Sequence, residues 1–453
     1  MRYHFSGVAG QGMNPLAQLM KAWGHDVQGS DRSFDQGRSQ DLAGRLAAQG
    51  ILLLPQDGTA VRAGLERFVY SAAVEQETPE VRAARDLDLE RLARPALLAE
   101  VINGVGTGVA ISGTSGKSTV TGMIAWVLRQ TGTPASILGG AALAGEGIAG
   151  CFAVGPQDGI AVAEACESDG TLVGYRPAIG VVHNITRDHG ELADLRSQFT
   201  TFAGQSRLLL VNSRCREAAS LASGHPRART YGIVGRADYP LEIVSVGPDT
   251  SNGVLGLPQG DLTIHLRHPG AHNLENAAAA AAVCIELGLA PRAVADALAT
   301  FPGVARRFDV VGTTDTGIRV VDDYAHNGDK IRAAVQAAQA GADRVIAIFQ
   351  PHGFGPARFL RPELRELLPS LLRPQDRWAY TDIFYAGGTV AQDIHARDLA
   401  ADLADTVPGV AYVPRGDLLA WSAEHAFTGD TVLLMGARDP DLPKLARGIF
   451  DLL

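Results

Sequence analysis

Apolar runs of four to seven residues recur along this chain. Each ends in a glycine-bearing turn and leads into a longer segment whose apolar positions repeat every three to four residues. RYHFSGV is the first such run; AGQGMNP follows it, and Leu16, Leu19, Met20 and Trp23 then share one helical face. VQGSD and RFVYSAAV are further strands, so residues 1–104 form one small α/β domain. A second alternation opens at GVAISGTSGKST, with strands IAVAE, AIGVVHN and RLLLVN, and runs over 105–302. TFPGVARRFDVVG, with Pro302 and Gly303, marks a linker. The third alternation, 303–453, holds IRVVDDYAHN, an Ala-rich helix, RVIAIFQPHGFG, a second helix, WAYTDIF and TVLLMGARDP. Three strand–helix alternations predict an α/β chain of three domains built on parallel sheets: Rossmann-like, P-loop ATPase-type, then Rossmann-like. Ligands of such sheets bind beyond the carboxyl ends of the strands.

Composition narrows this picture. At roughly 150 residues per domain, 453 residues also suggest about three domains. A net charge of -9 argues against a nucleic-acid or membrane binder, both of which need a basic surface. Cys151, Cys166, Cys215 and Cys284 have neither metal nor redox spacing, which predicts a reducing, cytoplasmic setting. The start of the chain has no apolar run of signal-peptide length. AHNLENAAAAAAVCIELGLA is broken by Asn273, Glu275, Asn276 and Glu286, and predicts a buried helix rather than a membrane span.

The glycine turns carry the candidate chemistry. Strand VAIS leads into Gly113-Thr114-Ser115-Gly116-Lys117-Ser118-Thr119 and then a helix. Backbone N–H groups and a helix N-terminus suit a polyphosphate; Lys117 would neutralise its charge and the Ser118 hydroxyl would hold Mg²⁺. Ile111 stands where the full phosphate-loop pattern has its first glycine. Lys117 is one of four lysines among 40 basic residues, so a cation other than the prevailing arginine was used here. Glu164 ends a strand and His189 follows another, so both could reach a metal beside the terminal phosphate. Taken singly, they read as a solvated strand end and a loop histidine. Near the N-terminus, Gly7, Gly10 and Gly12 lie between a strand and a helix, with Asp31 at the next strand end. The order G-x-x-G-x-G suits a pyrophosphate, or only a tight turn.

Together these segments resemble the Mur ligases, ATP-dependent amide-forming enzymes of peptidoglycan synthesis. The resemblance spans essentially the whole chain. GTSGKST is similar to their G-T-x-G-K-[ST] loop. EACESD with ITRDH resembles their magnesium pair, and GAHNLEN their G-x-H-N-x-x-N segment near adenine. RRFDVVG and VDDYAH resemble the entry to their C-terminal domain. HFSGVAGQGM, GSD, YSAAV, RRFD and FQPH are most similar to the branch that adds L-alanine to UDP-N-acetylmuramate and to its peptide-recycling relative.

The resemblance implies that Gly7, Gly10, Gly12, Met13, Asp31 and Ser71 hold the UDP-sugar. It implies ATP at residues 113–119 with Asn273, Asn276, Arg307 and Asp323, and Mg²⁺ at Ser118, Glu164 and His189. Lys117, Glu164 and His189 would be catalytic. Tyr324, His326, His352 and Arg358 would bind an amino acid or short peptide. The muramyl carboxylate would attack the γ-phosphate, and an amine would then displace phosphate from the acyl phosphate.

The chain departs from the family pattern in several places. Ser115 replaces a loop histidine, no lysine follows His189 up to Arg207, and Asn327 replaces a second histidine. FQPHGFGPAR replaces an FQPHRYTR-like segment, with Pro356 at the usual arginine position and Arg358 two residues on. A nicotinamide dehydrogenase and a non-catalytic nucleotide-sugar sensor remain as rival readings. NAD binding would mark the first; absence of amine-dependent phosphate release would mark the second.

Overall fold

A computed structural model of the chain describes every residue except 72–73, 146–151, 168–169, 187–191, 234–236, 248 and 386–390, together with the side chains of 192–193. The fold is α/β with three sheets. The first contains β1 (Arg2–Ser6), β2 (Asp26–Ser30), β3 (Leu52–Leu54), β4 (Arg67–Tyr70) and β5 (Glu90–Ala93), in the order β3-β2-β1-β4-β5, all parallel.

The second sheet holds β6 (Thr107–Ser112), β7 (Ala135–Leu138), β8 (Phe152–Ala153), β9 (Ile160–Glu164) and β10 (Ile179–Val182). It continues with β11 (Leu208–Asn212), β12 (Ala228–Gly232), β13 (Tyr239–Val246), β14 (Ser251–Leu255) and β15 (Leu262–Leu266). The order is β15-β14-β13-β12-β11-β10-β6-β9-β7-β8. The third sheet holds β16 (Asp309–Thr313), β17 (Arg319–Asp323), β18 (Arg344–Gln350), β19 (Arg377–Tyr380), β20 (Val410–Tyr412) and β21 (Asp430–Gly436). Its order is β16-β17-β21-β18-β19-β20, parallel apart from the edge strand β16.

The chain divides into two compact units. One is Met1–Val244 with Asn252–Leu266 and His272–Phe301; the other is Pro302–Leu453 with Ser245–Ser251 and Arg267–Ala271. Within the first unit, the two sheets share one apolar core that includes Phe5, Leu16, Leu97, Leu138, Val182 and Phe202. Trp23 of the first helix (Met13–Ala22) also donates its indole N–H to the Gly155 carbonyl at 3.1 Å. This continuity joins two sheets that the sequence pattern separates.

The Ala-rich helix Ala271–Glu286 is buried along Ala277–Ala282. No helix among the described residues is long and apolar enough to cross a membrane.

A polar cluster lies inside the first sheet. Glu80 and His4 are fully buried, with His4 Nε2 3.0 Å from Glu80 Oε1; Ser6 and Ser30 donate to the same carboxylate at 2.5 and 2.6 Å. Burial pushes the Glu80 carboxyl up, but the His4, Ser30 and Ser6 hydrogen bonds outweigh it and hold the group below its ordinary value. Ser6 and Ser30 end β1 and β2, and the Ser30 carbonyl accepts from Gly7 N and Val8 N at 2.9 and 3.0 Å. The cluster therefore ties the glycine turn to its sheet.

Glu80→Ala strands a buried imidazole and two hydroxyls, and is expected to cost about 3 kcal/mol or more, read as a lower urea midpoint for the first unit. Because the folded carboxyl is held low, its contribution is full above the unfolded value. That contribution is lost as pH falls through the folded one. A Glu80→Ala protein with the parent midpoint at neutral pH would remove this role.

Candidate active site

The central phosphate loop forms where β6 ends. Register aligns Ser112 with Val182 of β10, and Ile111 with Glu164 of β9, so three strand ends converge there. Gly113 and Gly116 have φ of +138° and +82°, values that favour glycine. A Cβ on Gly116 would lie 2.7 Å from Asn276 Oδ1 and 2.8 Å from His183 Cδ2.

Asn184 clamps the loop. Its Oδ1 accepts from Ser115 N at 2.8 Å and from the Thr114 hydroxyl at 2.9 Å, and its carbonyl accepts from Thr114 N at 3.1 Å. The donors for an anion then come from Gly116 onward, where the helix Lys117–Gln130 begins and its first N–H groups lack intrahelical acceptors. Thr119 sits in the first turn of that helix.

Lys117 Nζ lies 2.8 Å from Glu167 Oε2 and also donates to the Gly113 carbonyl. The two side chains are 15% and 2% exposed. Burial alone would lower the lysine pKa, but Glu167 reverses the shift and keeps the ammonium charged. Ser118 Oγ donates to Glu164 Oε2 at 3.0 Å, and Gly140 N donates to Glu164 Oε1 at 2.6 Å. A hydroxyl and a carboxylate in contact form a hard-oxygen set of the kind that suits Mg²⁺. His189, the expected third ligand, lies outside the described residues. Asn273 and Asn276, on the first turns of Ala271–Glu286, are linked at 3.4 Å. The structure thus brings Gly113–Thr119, Glu164, Asn273 and Asn276 into one place.

The N-terminal turn is closed from within. Asp31 accepts from Ala9 N at 2.8 Å and Ser33 N at 2.9 Å. Gly7 has φ +83°, and a Cβ there would lie 3.3 Å from Ser71 Cβ. Gly10 receives Met13 N at its carbonyl, 2.9 Å away, while the Met13 side chain is buried in the core. Gly12 caps the first helix, and a Cβ on it would lie 3.0 Å from the Arg94 side chain.

The second unit gathers three of the four expected acceptor residues, Tyr324, His326 and His352, at the ends of β17 and β18. The His326 ring lies 5.6 Å from Tyr324 and 5.1 Å from His352, both edge-on. Arg306 and Arg307 place their guanidinium carbons 4.9 and 5.0 Å from the Tyr324 ring centroid. Burial, with Lys330 nearby, brings the His326 pKa down to about 3, so its imidazole is neutral. Asp323 accepts from Phe308 N at 2.6 Å and Ala325 N at 2.7 Å. Burial raises the Asp322 pKa to about 7 despite Arg306 Nε at 3.2 Å. Arg358, on the helix Phe354–Leu371, is ion-paired with Asp393 and donates to the Ala391 carbonyl at 3.2 Å.

Sequence reasoning passed over Glu167, Asn184, His183, Arg94 and Asp322. Glu167 stands three residues beyond the strand end Glu164, and His183 and Asn184 close the run AIGVVHN, so their place at those strand ends was the available signal.

Three segments match domains of one family: residues 2–105 the "Mur ligase family, catalytic domain", 111–284 the "Mur ligase middle domain", and 306–438 the "Mur ligase, glutamate ligase domain". The chain is 33% identical to a UDP-N-acetylmuramate–L-alanine ligase of Stenotrophomonas maltophilia, over 97% of this chain and 93% of that one. It is 29% identical to the protein of that name from Agathobacter rectalis, over 96% and 95%. Among solved structures, a UDP-N-acetylmuramate–alanine ligase of Thermotoga maritima superposes with a TM-score of 0.78 at 24% identity, covering 100% of this chain and 98% of that one. A murein peptide ligase of Psychrobacter arcticus gives 0.69 at 20% identity, covering 100% and 98%. The chain belongs to the Mur ligase family.

Proposed function

We propose that this protein is a cytoplasmic ATP-dependent ligase that joins an amino acid, L-alanine first, to the carboxylate of UDP-N-acetylmuramate in peptidoglycan synthesis. The observation that carries this reading is the paired arrangement at the phosphate loop: Lys117 held by Glu167, and Ser118 touching Glu164. The relatives' names agree with it.

In this reading residues 1–104 bind the UDP-sugar, 105–302 bind ATP, and 303–453 bind the amino acid. Gly12 would offer backbone to the pyrophosphate, with Gly7 and Gly10, whose N–H groups are already bonded to backbone carbonyls, and Asp31, Met13 and Ser71 shaping the turn and Arg94 beside it. Gly113–Thr119 hold the ATP phosphates, Asn273 and Asn276 face the adenine, and Arg307 and Asp323 contact phosphate and ribose. Ser118 and Glu164, with His189, would hold Mg²⁺, which supplies charge neutralisation when bound.

The muramyl carboxylate attacks the γ-phosphate and ADP leaves. The acceptor amine then attacks the acyl phosphate carbon, and phosphate departs. Lys117 stabilises charge on the transferring phosphoryl group. Tyr324, His326 and His352 line the amine side; a neutral His326 can accept a hydrogen bond there. Arg358 takes the acceptor carboxylate in exchange for Asp393.

One observation favours a second reading, in which the acceptor is a peptide. The turn after His352 leaves room for one, since a Cβ on Gly355 would meet no atom within 4 Å. The deciding assay supplies ATP, Mg²⁺ and UDP-N-acetylmuramate and screens single amino acids and peptides for phosphate release. Turnover with peptides alone selects the second reading, and release with neither rejects both.

Lys117→Ala is expected to lower phosphate release by about 10²–10³ and, because it strands the buried Glu167 carboxylate, to lower the thermal midpoint as well. Near-normal turnover would take the loop out of the mechanism. Arg358→Ala is expected to raise the amino-acid KM by roughly tenfold or more, a charged hydrogen bond contributing about 1.5–3 kcal/mol, with the ATP KM unchanged. A parental alanine KM would reject the clamp.

A further inference from the structure

We propose that Tyr231 and His183 form a buried positioning relay that fixes the side-chain amides of Asn276 and Asn273 and so sets base selectivity at the nucleotide site. The inference rests on the ATP reading above and adds two residues to it.

The relay crosses three elements. Tyr231 lies on β12, His183 directly follows β10, and Asn276 belongs to the helix Ala271–Glu286. All three are buried, at 0%, 4% and 4% exposure. His183 Nδ1 stands 2.7 Å from the Tyr231 hydroxyl, with the two rings near parallel at 6.0 Å. The imidazole also bonds Asn276.

Positions around Gly116 give the direction of these bonds. A Cβ there would touch Asn276 Oδ1 at 2.7 Å and His183 Nε2 at 3.1 Å, which puts both atoms on one side of the loop, and the bond from Asn276 favours the protonated ring, as an accepting amide oxygen does. Nε2 must then carry the hydrogen, which leaves Nδ1 to accept from the tyrosine. Burial agrees, since it brings the His183 pKa down to about 4 and keeps the ring neutral. The amide nitrogen of Asn276 points the other way, 3.4 Å from Asn273 Oδ1. Donors and acceptors therefore run in one order: Tyr231 O–H to Nδ1, Nε2–H to Asn276 Oδ1, and Asn276 N–H to Asn273 Oδ1.

The phenol and imidazole rings alone would fill the space between the strands. The hydroxyl adds direction. An unanchored amide can turn over and exchange its oxygen for its NH₂, and adenine and guanine differ in donor and acceptor pattern at the edge an amide reads. Anchoring at Tyr231 selects one face of the amides, and hence one base.

The test is Tyr231→Phe, which removes one oxygen and keeps the ring. ATP and GTP affinities are measured by calorimetry, and KM and kcat by phosphate release. The expected result is an ATP Kd and KM raised about two- to tenfold, the loss of one neutral hydrogen bond. GTP affinity is expected to hold or improve, with kcat at saturating ATP and the UDP-N-acetylmuramate Kd at parental values. In a His183→Leu background, Tyr231→Phe is expected to have no further effect on ATP; if that background does not fold, the single variant decides. Parental ATP affinity in Tyr231→Phe, or an equal loss for ATP and GTP, overturns the relay and leaves a packing role only. A parent protein that binds no ATP overturns the nucleotide reading itself.

Discussion

An ammonium withdrawn from water has to be paired, and that constraint organises the central site. Lys117 has Glu167 as its carboxylate partner, itself almost fully buried. The pairing works because β9 lies beside β6 in parallel register, so the segment after Glu164 passes alongside the phosphate loop. On the other flank, β10 delivers His183 and Asn184 to the same turn. A polyphosphate entering here meets a cation already desolvated and oriented, so little reorganisation remains at the moment of transfer. The cost is a buried charge pair, which adds little net stability and makes loss of either member severe.

The charge states of the buried histidines and of Lys117 are also products of burial. His183 and His326 are kept neutral by their surroundings, whereas Lys117 stays charged because a carboxylate is within reach. A neutral imidazole can donate a hydrogen bond at one nitrogen and accept one at the other, which imidazolium cannot. Positive charge lies instead on Lys117 in the first unit and, in the second, on Arg306 and Arg307, which flank Tyr324.

Much of this was legible along the chain. Strand–turn–helix order announces parallel sheets, and the glycine turns sit where those strands end, because a residue without Cβ takes up φ values such as that of Gly116 most readily. The Ala-rich run reads as a buried helix, as found. What the sequence could not show is how pairing across strands assigns partners. Nothing local says that Lys117 meets Glu167, 50 residues on, or that Arg358 meets Asp393. Asn184 was hidden for the same reason: its role depends on β10 lying next to β6. The shared core of the first two sheets likewise depends on side chains meeting across long separations, such as Trp23 with Gly155.

The strand-end carboxylates show how these turns stay rigid while attracting anions. Asp31 accepts from Ala9 N, Glu164 from Gly140 N, and Asp323 from Phe308 N and Ala325 N. A carboxylate beside a phosphate would repel it; one whose oxygens hold backbone N–H groups spends part of its charge on the protein. Each ionised carboxylate has about four acceptor sites, so pinning the backbone does not exhaust it. Glu164 shows both uses: Oε1 holds the Gly140 amide while Oε2 faces the Ser118 hydroxyl. The backbone bond fixes where the second oxygen points, and a ligand oxygen fixed in this way loses less freedom when a cation arrives. The acidic residues singled out as ligands are thus also the fasteners of their own turns, which is why removing one would perturb geometry and charge together.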